Sequence, residues 1–278
     1  MRNNMKRIQI KARGFTFDAL SDGPEDGPLL ILLHGLPRTS WEWHHQIPKF
    51  AEAGFRTVAP DMRGYSPGAR PEGKRKYAVK EFVKDTLAIA DELGWADRPF
   101  HLMACSIGAV VAWVVAGKYP ERIATLACIN QPHPMAIVET METRAADTQK
   151  EGYSYFSIYR EEGREWENFE NALSRYDLPD EELDPYREAL GNDDALRAVF
   201  HWYRVLRVPV LKPVVMPTMY IWPRNVSNVK KETAEANAKY VKGPYRFEIL
   251  EKALNFALQM EPKKTTRLLL EHLTEYAQ

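Results

Sequence analysis

The sequence predicts an α/β fold, with a mostly parallel central sheet flanked by helices and interrupted once by a helical block. Two observations predict it. Continuous apolar runs of strand length alternate with helical patterns, as in a sheet covered on both faces. From 134 to 213 the strand pattern stops, and only helical periodicity remains until "MPTMYIW". The 278 residues suffice for one large domain carrying such an insertion.

The elements follow in order. Runs at 7–12 and 15–20 alternate apolar and polar residues and predict a hairpin. Runs at 29–34, 56–60, 100–105 and 123–130 are mostly continuous and predict buried parallel strands. Those at 219–222 and 246–250 complete the set. "AVKEFVKDTLAIADELGW" and "GAVVAWVVAGKY" read as covering helices, and "EWENFENALSRY", "DEELDPYREAL" and "DALRAVFHWYRVL" as short amphipathic ones. The chain therefore divides into a core, 1–133 and 214–278, and a helical lid, 134–213, over the carboxyl ends of the strands, where open α/β sheets bind ligands.

Lys+Arg and Asp+Glu both number 38, with no basic stripe interleaved with aromatics. That balance argues against nucleic acid or an anionic membrane surface and for a small-molecule substrate or ligand. The opening "MRNNMKRIQIKARGFTFDAL" lacks the apolar run of a signal peptide, and no segment is long enough to span a membrane, so a cytoplasmic protein is expected. The two cysteines, Cys105 and Cys128, end apolar runs; neither a disulfide framework nor a Cys/His zinc site is expected, nor any metal or cofactor. No feature fixes an oligomeric state.

"RPFHLMACSIGAVVAWVVAGKYPERI" has the strand, sharp turn and helix that present a nucleophile. With it, "LLILLHGLPRTSWEWHHQIPKFAEAGFRTVAPDMRGYSPGARPEG", "NQPHP", the helical block and "VKGPYRFEILEKALNFALQMEP" resemble, in order and over nearly the whole chain, the α/β-hydrolase superfamily, in its epoxide-hydrolase and haloalkane-dehalogenase-like branch. The resemblance implies the α/β-hydrolase fold. It also implies an oxyanion hole from the backbone N–H groups of Leu36, in "HGLP", and Ile107.

It places Ser106 at the nucleophile position, where this branch usually carries an aspartate. The strained turn needs small residues two positions to either side. Ala104 and Gly108 satisfy that for Ser106, whereas a central Cys105 would be flanked by Met103 and Ile107. The base position, usually histidine, holds Asn255, and the acid position after "WPRN" holds Val226. Some relatives take the acid from the end of the preceding strand, which here reads Asn130-Gln131-Pro132. Two lid tyrosines of the family's epoxide hydrolases, which hydrogen-bond the epoxide oxygen, match Tyr155 in "SYFSIYREEG" and Tyr203 in "HWYRVL". Trp41, Cys105, His133, His201 and Phe256 complete the expected substrate-binding set, with Asp61 and Arg63 as braces of a neighbouring loop.

An amide cannot accept the serine proton at neutral pH, and loss of triad members costs roughly a million-fold in serine hydrolases. Ordinary hydrolysis is thus expected to be very weak. A phenol pair can still donate hydrogen bonds or act as a general acid. The reading that follows is a non-hydrolytic conversion, cyclisation, isomerisation or elimination, of a small, largely apolar molecule. Three alternatives stay open: a binding protein without catalysis, an impaired or atypical serine or epoxide hydrolase, and a hydrolase scaffold rewritten by design.

Overall fold

A computed structural model describes residues 5–142, 150–175, 177–207 and 209–276. Among the described residues eight strands form one sheet: β1 (Lys6–Ala12), β2 (Phe15–Asp22), β3 (Leu29–Leu33), β4 (Arg56–Pro60), β5 (Phe100–Cys105), β6 (Ile123–Ile129), β7 (Thr218–Pro223) and β8 (Tyr245–Leu250). Their spatial order is β1-β2-β4-β3-β5-β6-β7-β8. β1 and β2 form an antiparallel hairpin whose two turn residues, Arg13 and Gly14, both have positive φ, as a tight two-residue turn requires. β2 also runs antiparallel to β4, and all later pairings are parallel.

The parallel strands are apolar because both faces are covered. Every residue of β3, "LLILL", is buried. Alternation then divides the core in two: Ile31, Leu33, Ala104 and Cys128 belong to the cluster on one face, Leu30, Leu32, Cys105 and Ala127 to that on the other. α1 (Ile47–Glu52) and the long C-terminal helix (Pro262–Tyr276) contribute Phe50 and Leu269 to the second cluster, whereas α2 (Val79–Glu92) and α3 (Ile107–Lys118) contribute Phe82 and Trp113 to the first. α3 is buried around nearly its whole circumference, so "IGAVVAWVVAGK" carries almost no polar residue.

Between β6 and β7 the described residues form α4 (Pro134–Met141), α5 (Tyr155–Arg160), α6 (Glu165–Ser174), α7 (Asp180–Leu190) and α8 (Asp193–Val205). α8 starts where Asn192 accepts the Ala195 N–H at 2.9 Å, and it buries Leu196, Phe200 and Tyr203 on one face. After β7 come α9 (Lys231–Ala236), α10 (Ala257–Met260) and the C-terminal helix, α11. No helix among the described residues is long and apolar enough to cross a membrane.

Candidate active site

β5 ends at Cys105, α3 begins at Ile107, and Ser106 alone makes the reversal between them, at φ 53° and ψ −121°. A side chain held at positive φ costs on the order of 1–3 kcal/mol and persists only where surrounding packing imposes it. Here the packing is close: a Cβ on Gly108 would lie 2.6 Å from the His34 carbonyl oxygen. Ser106 is half-buried at the head of α3, where first-turn N–H groups, including that of Ile107, lack helical acceptors.

The turn after β3 packs against this serine. A Cβ on Gly35 would fall 2.8 Å from the Ser106 Cβ and 2.0 Å from Nη2 of Arg38, so only glycine lets the guanidinium pass beneath the turn. Arg38 and Glu42 are 1% and 0% exposed and pair at 2.8 Å. Glu42 also accepts the Gly35 N–H at 2.6 Å, and Arg38 donates to the Asn255 carbonyl at 2.6 Å while lying 4.7 Å over the Phe256 ring. One buried ion pair thereby ties the "HGLP" turn to the segment carrying Asn255.

These elements surround a cavity of about 40 Å³. Its floor includes Leu36, Ser106, Asn130, Asn255 and Phe256, and its roof Tyr155, Tyr159 and Tyr203 from the helical insertion. Ser227, Asn228 and Arg175 line it further. Asn130, at φ 72° just beyond β6, donates from Nδ2 to Oδ1 of Asn255 at 2.8 Å. Its backbone is fixed by bonds to Ile221 and Tyr220, and its own Oδ1 is buried with no partner among the described residues. An amide pair therefore lies beside the serine, and no histidine or carboxylate lines the cavity among the described residues.

The roof supplies donors. The rings of Tyr155 and Tyr203 are 6.0 Å apart, and Tyr159 stands 5.0 Å from Tyr203. Burial holds the Tyr203 phenol well above its usual pKa, with Tyr155 and Tyr159 adding to the shift, so it stays protonated at neutral pH. His34 is no base for the serine: Nδ1 bonds the Gly35 carbonyl, Nε2 accepts from Met62 N–H, and burial pushes its pKa down to about 3.

Ser106, Leu36, Tyr155, Tyr203, Asn255 and Phe256 thus meet at one cavity. Six other candidates do not; one of them, Ile107, opens α3 directly after Ser106 and is buried outside the cavity lining. Cys105 is fully buried on the opposite sheet face, because residues alternate along β5, and its thiol bonds Glu42. Trp41 stacks on His44 at 4.0 Å. His133 caps α4, accepting the Met135 N–H, and stacks on Tyr240. His201 faces a separate surface hollow, where its Nδ1 meets Arg204. Val226 is buried and outside the cavity, although the next two residues line it. Asp61 accepts the Ser40 N–H at 2.6 Å and Arg63 pairs with Asp85 at 2.7 Å, both as loop braces.

Sequence reasoning missed Arg38, Glu42 and Tyr159. Arg38 and Glu42 are four residues apart, and Tyr159 follows Tyr155 by four on one helix, a spacing that shares a face.

The sheet order, the serine at the strand–helix turn and the cavity over the strand ends define an α/β-hydrolase architecture. Residues 28–257 match the model of the alpha/beta hydrolase fold family, and the chain belongs to that family. It is similar to "AB hydrolase superfamily protein YfhM" of Bacillus subtilis, 28% identical over 95% of this chain and 96% of the relative. To human "Epoxide hydrolase 4" it is 28% identical over 96% of this chain and 78% of the relative. Among solved structures, a Bacillus megaterium epoxide hydrolase bound to its product superposes with a TM-score of 0.86 over 96% of this chain and all of the other, at 22% identity.

Proposed function

We propose that this epoxide-hydrolase-like protein acts on a small molecule with an ether or epoxide oxygen without forming an ester to the protein. In this reading the helical insertion is the lid, Tyr155 and Tyr203 donate to the substrate oxygen, and Ser106, Asn130 and Asn255 orient the rest. One observation carries it: phenols, amides, hydroxyls and the arginines Arg38 and Arg175 line the cavity, and no histidine or carboxylate does among the described residues. A serine with no base nearby is a poor nucleophile.

Rearrangement of an epoxide to a carbonyl matches such a lining because it needs an acid alone. A phenol proton passes to the oxygen as one C–O bond breaks. A hydride then shifts from the oxygen-bearing carbon to the carbon left electron-poor, and the protonated carbonyl returns its proton to the phenolate. No water is consumed.

A second reading, binding without conversion, is favoured by the raised pKa of Tyr203, which makes phenolate formation costly, and by the small cavity. One experiment separates the two. Small aryl epoxides are incubated with the protein, with Ser106→Ala and with Tyr155→Phe/Tyr203→Phe, and products and binding are followed. Isomerisation predicts a carbonyl product that survives Ser106→Ala and disappears in the double Phe variant. Saturable binding with recovered, unchanged epoxide supports the second reading. Diol formation that depends on Ser106 overturns both.

A further inference from the structure

Away from the cavity, His44, His45 and Glu182 bring three ligand atoms within 4.8 Å of one another. Glu182 Oε1 lies 2.8 Å from His45 Nε2 and 3.5 Å from His44 Nε2. Ligands at tetrahedral corners around zinc, with bonds near 2.0–2.1 Å, stand roughly 3.3 Å apart. The Glu182–His44 spacing is close to that value, and the Glu182–His45 spacing is about 0.5 Å short of it.

The hydrogen bonding around the cluster is that of an oriented ligand set. His44 Nδ1 lies 2.7 Å from the Trp41 carbonyl, an acceptor only, so the nitrogen there carries the hydrogen. In the neutral ring, His44 Nε2 then turns a lone pair towards the same carboxylate oxygen that His45 Nε2 meets at 2.8 Å. The ring is also held flat against Trp41, with centroids 4.0 Å apart. On the other side Gln259 Nε2 donates to Glu182 Oε2 at 2.5 Å, and Tyr186 donates to Gln259 Oε1 at 3.1 Å, so Oε1 is turned to the histidines. Metal-binding imidazoles and carboxylates are commonly fixed by such outer partners.

We propose that His44, His45 and Glu182 form a binding site for a zinc-like divalent transition-metal ion that clips the helical insertion to the core. Two imidazoles and one carboxylate suit a borderline cation, and the half-exposed edge of His45 leaves a fourth position for water. The two histidines follow the "HGLP" turn, whereas Glu182 comes from α7, 137 residues on. The bound ion therefore bridges two parts of the fold that otherwise meet here through side-chain contacts.

The test uses tag-free, chelator-treated protein titrated with Zn²⁺ by calorimetry and with Co²⁺ by visible absorption, beside His45→Gln, His44→Ala and Glu182→Gln. His45→Gln alters a half-exposed side chain and keeps the assay usable if the other variants fail to fold. The expected result is one equivalent bound, a tetrahedral Co²⁺ spectrum, a raised melting temperature with metal, and at least ten-fold weaker binding in His45→Gln. Absence of stoichiometric binding, or affinity unchanged in the folded variants, overturns the proposal and leaves the cluster held by protons alone.

Discussion

Replacing Arg38 by Met strands the Glu42 carboxylate, which is wholly buried and, among the described residues, keeps only the Gly35 N–H and the Cys105 thiol as donors. The variant can escape by protonating Glu42. From an ordinary pKa of 4.5 that costs about 1.36 × 2.5, or 3.4 kcal/mol, at pH 7. Burial already raises the Glu42 pKa, which lowers this cost. The lost bond to the Asn255 carbonyl adds about 1 kcal/mol. The expected destabilisation is therefore about 3–4 kcal/mol, in the range for breaking buried ion pairs. The sign with pH follows. In the variant the folded pKa of Glu42 stands above its unfolded value, so stability is recovered as pH falls and lost as it rises. Two pH units less remove up to about 2.7 kcal/mol of the penalty. Urea unfolding of both proteins at pH 7 and pH 5 reads this directly, and Arg38→Met/Glu42→Leu should regain most of the loss. A loss below 1 kcal/mol at pH 7, or an equal loss at both pH values, would mean that Arg38 does not hold the Glu42 charge in place.

Gly35→Ala forces a Cβ to within 2.0 Å of Arg38 and 2.8 Å of Ser106, and should cost about 3 kcal/mol, read by urea unfolding. Burial lowers the pKa of His101, His133 and His272 to about 4. Their folded values lie below the unfolded 6.5, so the stability is complete above pH 6.5 and lost as pH falls towards 4, by up to about 3 kcal/mol per residue. Melting temperatures from pH 7 to pH 4 should show that decline, and His272→Gln should flatten it. Tyr203→Phe removes a buried phenol on the cavity roof and should weaken binding of a small epoxide about ten-fold while the fold is kept, as measured by calorimetry.

Much of the architecture was legible in the sequence because the signals are local. Continuous apolar runs such as "LLILL" mark strands covered on both faces, and the small residues at 104 and 108 fix which residue makes the turn. The cavity was half legible. Asn255 stands out where the resembling family usually has histidine, and Asn130 where some relatives have an acid, but their mutual hydrogen bond joins residues 125 apart and has no local pattern. The face on which Cys105 lies was legible too: one residue before Ser106 on a strand, it points away from Ala104. His133 resembled a site residue by its position, yet its ring caps a helix and stacks on Tyr240, contacts that only tertiary structure supplies.

Under the proposed function Ser106, set beside an amide pair, forms no ester. The most direct test is intact-protein mass spectrometry after mixing with excess aryl epoxide or activated ester and quenching in acid within seconds, with Ser106→Ala alongside. The expected result is an unchanged mass for both proteins. A stoichiometric adduct on the Ser106 peptide, absent from Ser106→Ala, would contradict it.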